Sequence, residues 1–307
     1  MFIIKNKKIF IIISVALVLL SIASFFVYGL KLGIDFKGGA LMEVFYPAES
    51  GRPDIQLVKN AVSLIGNSFG EAMIQPIGIN GYSIKTLALT EENRLNLISA
   101  LSIQGEYELV EESFTSIGPS VGRELGRKAI IAIILVIIAI ILFIAFVFRS
   151  VNSKLYKGKG VSSWRLGFIA IITLIHDILI TTGFFIVLSH FLGLEADTLF
   201  IVALLTILGV SINDTIVVFD RIRENIHNDL TQEFGDTVGK GLDQSFTRSI
   251  NTSLILIMVL LALFFWGPVS IKYFALTLTV GIFIGTYSSL FLASPLLVII
   301  EQLQRKK

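Results

Sequence analysis

The sequence predicts a polytopic α-helical membrane protein with six transmembrane helices and one α+β, ferredoxin-like extracytoplasmic domain between helices 1 and 2. Hydrophobic residues make up 54% of the chain and charged residues only 16%, and the mean hydropathy is +0.82. A soluble fold of this size has too little interior to bury so much apolar surface. Six apolar stretches are long enough to cross about 30 Å of hydrocarbon, and a long polar segment separates the first from the second.

Composition also excludes several kinds of chemistry. The chain has no Cys and three His, which argues against disulfides, thiolate ligands and a His-rich metal centre. No nucleotide-binding or hydrolase motif is present, and the net charge of +2 is too small to indicate nucleic-acid binding. We therefore expect no enzyme active site, no cofactor, no metal and no nucleic-acid partner.

Each predicted span is a nearly uninterrupted apolar run. The fifth is short and is expected to begin earlier, near Asp243, and the sixth is long enough to tilt or to end in an interfacial piece near Pro295. The first run exceeds the apolar core of a signal peptide, so it is interpreted as an uncleaved anchor. The six runs are Ile9–Leu30, Ala129–Phe148, Leu166–Ser189, Thr198–Phe219, Asn251–Trp266 and Tyr273–Ile300.

The distribution of Lys and Arg predicts the orientation. These residues cluster at both chain ends, between spans two and three and between spans four and five, whereas Lys272 stands alone among the short loops of the other side. By the positive-inside rule both termini are cytoplasmic. The expected organisation is residues 1–30 for the N-terminus and helix 1, residues 31–128 for the extracytoplasmic domain, and residues 129–307 for helices 2–6.

The polar segment 31–128 is patterned as a small α+β domain. Its predicted elements follow the order β-α-β-β-α-β, which is the ferredoxin-like arrangement. Asn80-Gly81 predicts a hairpin between the second and third strands, and Thr90 predicts the start of the second helix.

Ionisable residues inside the spans are the candidate functional groups, since each costs about 2.5–3.5 kcal/mol to insert. Span three carries His176 and Asp177, and span four carries Asn213 and Asp214. Arg248 lies near the start of span five, which runs opposite to span four, so Asp214 and Arg248 are expected at similar depth. Low dielectric favours a neutral carboxyl and a guanidinium favours a charged one. Such a carboxyl is suited to load and release a proton.

Other interpretations of the same residues stay open. Asp214 and Arg248 also fit a structural ion pair that fixes helix register. His176 also fits a hydrogen-bonding role in the bundle, and Asp177 fits either role. Gly281 and Gly285 belong to a small-residue stripe in span six that is typical of a helix-packing face.

Three sequence runs resemble the SecF subunits of the SecD/SecF family of protein-export membrane proteins. The run GVSINDTIVVFDRIREN from Gly209 to Asn225 resembles the family's fourth-span signature, and SFTRSINTS from Ser245 to Ser253 resembles the start of its fifth span. GIDFKGG, which contains Asp35, Gly38 and Gly39, resembles the Gly-Gly motif after span one. His176-Asp177 is similar to a further SecF position. The resemblance extends over essentially the whole chain.

The resemblance implies a multi-pass subunit of the inner (plasma) membrane that works with SecD and is related to resistance-nodulation-division transporters. SecD and SecF associate with the SecYEG channel and use the proton motive force to help complete preprotein translocation after SecA has acted. Asp214 would be the proton-carrying carboxylate and Arg248 its basic partner, while Gly38 and Gly39 mark the first strand of the outer domain. Two further hypotheses are a proton-coupled half-transporter of a small solute and a purely scaffolding subunit.

Overall fold

The computed structural model describes residues 2–47, 49, 51–65, 72–147, 163–228 and 233–305. The chain divides into two compact units, a small domain at Leu32–Ile131 and a helical unit formed by Met1–Lys31 with Ala132–Lys307. Phe148, the predicted end of span two, lies outside the described ranges. So do six of the Lys and Arg residues from which the membrane orientation was predicted, namely Arg149, Lys154, Lys157, Lys159, Lys306 and Lys307.

The small domain has the predicted ferredoxin-like topology. Its four strands form one antiparallel sheet in the order β2-β3-β1-β4, with the outer strands β2 and β4 at the edges. Asp54 and Thr90 cap the two longer helices with their side chains, as acceptors from the backbone N–H groups of Gln56 and Asn93. The elements are α3 (Ile34–Lys37), β1 (Gly39–Phe45), α4 (Ile55–Leu64), β2 (Met73–Ile77), β3 (Gly81–Thr86), α5 (Glu91–Leu101) and β4 (Val110–Ile117).

Helices α4 and α5 cover one face of this sheet and enclose the domain's core. Met42 and Ile84 from the sheet pack against Val58 of α4 and Leu97 of α5, and all four are essentially inaccessible to solvent. The Tyr46 hydroxyl donates to the Leu101 carbonyl at 2.9 Å. Burial raises the pKa of Tyr46, so this phenol stays a neutral donor.

The Gly-Gly motif lies where β1 begins. Gly38 and Gly39 have φ values of 82° and 145°, which side-chain-bearing residues rarely adopt. A Cβ on Gly38 would come within 2.7 Å of the Pro119 Cα, and one on Gly39 within 2.8 Å of the Thr86 carbonyl oxygen. Asp35 lies in the first turn of α3, directly before the motif. The motif therefore permits close backbone approach inside the small domain.

Six helices of the described residues are long and apolar enough to span a membrane, which confirms the predicted number. Most of these helices are longer than the apolar runs predicted from the sequence, because the backbone hydrogen bonds of a helix continue into its polar, water-exposed ends. The fifth begins at Phe234, well before Asp243. The spans are α2 (Lys7–Tyr28), which follows the short α1 (Phe2–Lys5), then α6 (Pro119–Val147), α7 (Ser163–Leu192), α8 (Thr198–Asn228), α9 (Phe234–Trp266) and α10 (Val269–Tyr287) with its continuation.

The sixth span changes its winding partway along. A π-helical turn, Ser288–Ala293, follows α10 and leads into α11 (Ser294–Arg305), which contains Pro295. The change in winding thus begins at Ser288, before Pro295, and α11 starts directly next to the point expected from the sequence. The π-turn widens the helix where hydroxyl side chains point into the bundle.

The helical unit is built around α7, α8 and α10. About half of α7 and α8 and most of the sixth span are buried, whereas α2, α6 and α9 are mostly exposed. Small residues allow the central helices to approach closely. A Cβ on Gly281 would overlap Ile207 of α8, and one on Gly285 would lie 2.9 Å from the Ser211 Cβ. The glycine stripe therefore lies at the α10–α8 contact.

Candidate functional site

Two aspartates on the central helices α7 and α8 are buried. The first, Asp177 of α7, is fully enclosed, with an exposed fraction of 0%. Its Oδ1 atom lies 2.9 Å from His176 Nδ1, and its Oδ2 atom accepts hydrogen bonds from Ser211 Oγ at 2.5 Å and Ser288 Oγ at 2.9 Å. Asp177 therefore connects α7 to α8 and to the π-turn of the sixth span.

The second carboxylate, Asp214 of α8, is held more loosely. It is 5% exposed, and Ser253 of α9 donates to its Oδ2 atom across 3.4 Å. Thr286 of α10 in turn donates to Ser253 Oγ at 2.5 Å. Hydroxyl groups from two neighbouring helices thus surround Asp214, and a hydroxyl is able either to donate or to accept.

Helical spacing explains why α8 presents its polar groups together. Ser211, Asp214 and Thr215 stand three and four residues apart, which places them on one face. Thr215 Oγ1 lies 2.8 Å from Ser289 Oγ of the π-turn. The face is able to approach the sixth span because Gly285 leaves room for Ser211. The result is a continuous hydroxyl-rich seam between α8 and the sixth span.

Arg248 does not contact Asp214 directly. It lies on α9 and is exposed, and no ion pair of 4 Å or less joins it to Asp214 in the described structure. Ser253, on the same helix as Arg248, occupies the hydrogen-bonding position that sequence reasoning gave to the guanidinium.

Arg248 is one of several exposed polar residues of α8 and α9 at the level of the spans, a set that we call the α8–α9 stripe. Asn213 and Thr206 of α8 are exposed in the same way. Hydrocarbon cannot satisfy guanidinium and amide groups, and an unsatisfied group there costs several kcal/mol. The members of the stripe are Thr206, Asn213, Arg248, Asn251 and Thr252.

Sequence reasoning missed the hydroxyl groups that surround the carboxylates. Ser253, Thr286 and Ser288 carried no separate signal, because Ser and Thr are frequent in these spans. Ser211 was detectable in principle, since it lies one turn before Asp214. In the described ranges, no group of three or more His, Asp or Glu side chains is placed to hold a metal ion.

This fold and site define a class: a polytopic membrane protein with a ferredoxin-like domain after its first span and ionisable residues buried between later spans, as in ion-coupled transporters. Residues 99–303 match the family described as protein export membrane protein SecD/SecF, C-terminal, and residues 23–44 match the SecD/SecF GG motif. The chain belongs to the SecD/SecF family of protein-export membrane proteins, as a relative of its SecF subunits.

The similarity to SecF subunits extends over nearly the whole chain. The protein translocase subunit SecF of Thermobaculum terrenum is 38% identical over 310 residues, with 96% of this chain and 92% of the relative covered. The SecF subunit of Haemophilus influenzae is 32% identical, with 94% of this chain and 82% of the relative covered. Both relatives are named as translocase subunits.

Solved structures support the same assignment. The crystal structure of SecDF, a translocon-associated membrane protein from Thermus thermophilus, has a TM-score of 0.80 and 30% identity, and the match covers 98% of this chain. A SecDF structure in a super-membrane-facing form has a TM-score of 0.67 and 29% identity. The chain spans 38% of the first of these proteins and 39% of the second.

Proposed function

We propose that this chain works with SecD as the subunit that uses the proton motive force to help complete preprotein translocation through SecYEG, after the ATP-dependent action of SecA. The observation that carries the proposal is Asp214, a carboxyl buried at the junction of α8, α9 and α10 with hydroxyl partners. Buried intramembrane carboxyls are characteristic of proton relays.

The surroundings of Asp214 suit both of its protonation states. A charged carboxylate accepts from the Ser253 hydroxyl, and a neutral carboxyl is able to donate to it, because a hydroxyl serves in either role. Neither state leaves a buried polar atom unsatisfied, which would cost about 1–3 kcal/mol. Each proton that crosses 100 mV releases about 2.3 kcal/mol. Asp214 is thus suited to exchange a proton while the helices change their packing.

Arg248 has a different role in this proposal. A guanidinium keeps its charge at any physiological pH, so it cannot carry the proton itself. As a fixed positive charge near Asp214, it favours proton release once the two groups approach each other. His176 and Asp177 would support proton coupling from the neighbouring helix, and Asn213 lies next to Asp214 on the exposed side of α8.

The α8–α9 stripe supports a membrane-embedded partner, which we infer to be SecD. Arg248, Asn213 and Asn251 are exposed at the level of the spans, where lipid cannot satisfy them. A second subunit with polar side chains at this depth would satisfy them. The SecDF structures, which are longer than this chain, are consistent with such a partner.

The proposed setting is the inner (plasma) membrane with both termini in the cytoplasm. The charge bias of the loops supports this orientation, because Lys and Arg remain preferentially on the cytoplasmic side. The organisation proposed from the sequence then places residues 31–128 outside the membrane, where this domain would meet the emerging preprotein.

Replacement of Asp214 with Asn tests the proposal, because it keeps the size of the side chain and removes its titration. Preprotein translocation into inverted membrane vesicles is measured with the proton gradient intact and after its collapse. We expect slow translocation by Asp214→Asn vesicles under both conditions, whereas wild-type vesicles slow only on collapse. Asp220→Asn, an exposed position on the same helix, is the matched control. Normal, gradient-sensitive translocation by Asp214→Asn would refute the assignment.

A further inference from the structure

In the described part of the helical unit, five buried side-chain polar atoms have no hydrogen-bond partner. Two of them are Ser14 Oγ on α2 and His176 Nε2 on the neighbouring helix α7. Ser14 is 2% exposed and His176 is 4% exposed, so neither atom is in contact with bulk solvent or lipid. Protein interiors rarely leave such atoms unsatisfied, since each costs about 1–3 kcal/mol.

The packing of α2 on α7 places these two atoms on facing sides. Gly183 lies against Ser21 so closely that a Cβ would overlap it, and the Ser24 hydroxyl is 3.3 Å from the Gly183 carbonyl. Two turns further on, the rings of Tyr28 and His190 pack with centroids 4.3 Å apart. The contacts between α2 and α7 therefore repeat every seven residues along both helices.

Two turns in the other direction, the same register places Ser14 opposite His176. Ser14 stands seven residues before Ser21, and His176 stands seven residues before Gly183, so this pair continues the repeat set by Ser21 with Gly183 and Tyr28 with His190. Ser14 and Ser24 are the buried residues of α2, and Ser24 contacts α7 through the Gly183 carbonyl. The two unsatisfied atoms therefore belong to one location between the helices.

A third polar group reaches the same place from the sixth span. The Tyr287 ring stacks on His176 with centroids 6.5 Å apart, and its hydroxyl donates to the Phe10 carbonyl at 3.0 Å. Phe10 precedes Ser14 by one helical turn, so the Tyr287 oxygen lies close to the Ser14 side of the gap. An oxygen that donates once still has lone pairs to accept with.

We propose that one internal water molecule binds between Ser14 Oγ, His176 Nε2 and Tyr287 Oη and that it exchanges protons with the His176–Asp177 pair. Buried waters typically make two to four hydrogen bonds to groups that would otherwise be unsatisfied, and this location supplies three. Water fits better than a metal ion, because the Asp177 oxygens already bind His176, Ser211 and Ser288.

The arrangement gives a balanced proton step. A proton that arrives on the water moves to His176 Nε2, and the proton on Nδ1 moves to Asp177 Oδ1, so the imidazole changes tautomer and remains neutral. The Ser211 and Ser288 bonds end on the other carboxylate oxygen, Oδ2, and persist through the transfer. The use of this step in export rests on the proposed function, whereas the water site itself does not.

The test observes His176 in the lipid-embedded protein with ¹⁵N-labelled histidine. The His176 signals are those that His176→Gln removes, and the measured quantity is magnetisation transfer from water protons to Nε2. We expect clear transfer in the wild-type protein and its loss in Ser14→Val, which removes the hydroxyl and fills the space. Ser24→Ala removes the other buried hydroxyl of α2 and should leave the transfer unchanged.

A second variant covers the case in which Ser14→Val does not fold. Tyr287→Phe removes one partner of the water at nearly constant volume and should reduce the transfer several-fold. Absence of transfer in the wild-type protein, or full transfer in both variants, would overturn the water site. These outcomes are independent of the Asp214 test, which measures translocation and leaves the α2–α7 contact intact.

Discussion

At the scale of single residues, the buried aspartates Asp177 and Asp214 differ in how firmly they are held. Asp177 has three partners within 2.9 Å, contributed by α7, α8 and the π-turn. Asp214 accepts from Ser253 across 3.4 Å, and Thr286, whose hydroxyl bonds to Ser253, is its other hydroxyl neighbour. Asp177 is therefore anchored, while Asp214 is able to change partners at low cost. This contrast favours Asp214 as the group that loads and releases the proton.

Ser253→Ala tests this view of Asp214. The variant removes the hydroxyl that donates to the carboxylate and that accepts from Thr286, while Thr286 keeps the Ile282 carbonyl as an acceptor. A lost hydrogen bond of about 1 kcal/mol corresponds to roughly a fivefold change in an equilibrium. We expect gradient-driven translocation to slow by about that factor, with the same measurement in vesicles.

Ser245→Ala is the matched control for this variant. Its hydroxyl is also buried on α9 but bonds to the Gly241 carbonyl. Equal rates for Ser253→Ala and wild type, or an equal loss in Ser245→Ala, would show that the Ser253 hydroxyl does not act on Asp214.

The sequence was sufficient to find the carboxylates but not their partners. An Asp inside an apolar run is conspicuous because insertion is costly, so Asp177 and Asp214 were detectable without a structure. Ser253, Thr286 and Ser288 become partners only through the packing of α9 and the sixth span. The exposed position of Arg248 was likewise unpredictable, because spacing gives the depth of a residue and leaves its neighbour across the helix gap undetermined.

At the scale of elements, the sixth span organises the site. Its glycine stripe brings α10 against α8, and its π-turn supplies Ser288 to Asp177 and Ser289 to Thr215. The sequence predicted the stripe as a packing face. It could not predict the π-turn, because residues 288–293 are as apolar and small as the helix around them.

Gly285→Ala tests the close α10–α8 approach. The added methyl would lie 2.9 Å from the Ser211 Cβ, which is closer than real contacts allow. Overpacking of this kind typically costs about 1–3 kcal/mol. We expect a lower midpoint of thermal unfolding for the detergent-solubilised protein.

Gly209→Ala provides the control on the facing helix. Nothing lies within 4 Å of a Cβ at Gly209, so the change should be neutral or stabilise α8 by about 0.5–1 kcal/mol. If Gly285→Ala were as stable as Gly209→Ala, the close approach of α10 to α8 would not contribute to stability.

Element order was predictable where local signals agree with the fold. The hairpin at Asn80-Gly81, the Thr90 cap and the alternating strands all indicated the ferredoxin-like order, and the sheet has it. Helix ends were less predictable. Hydropathy marks where a span leaves the apolar region, whereas α8 continues from Phe219 to Asn228 because its backbone bonds remain favourable outside.

At the scale of the whole molecule, the helical unit exposes polar side chains at a depth where lipid cannot satisfy their hydrogen bonds. The α8–α9 stripe exposes charged and amide side chains next to the helix face that buries Asp214. A subunit that satisfied this stripe would also bring its own polar groups near Asp214. Proton transfer is therefore expected of the complex with SecD and not of this chain alone.

Proton uptake by liposomes tests the central claim, that Asp214 carries the proton, most directly. The purified chain is reconstituted with SecD, a proton gradient and potential are imposed, and internal pH is followed with an entrapped dye. The wild-type complex should admit protons, while the Asp214→Asn complex should match empty liposomes. Proton uptake by the Asp214→Asn complex at the wild-type rate would contradict the account.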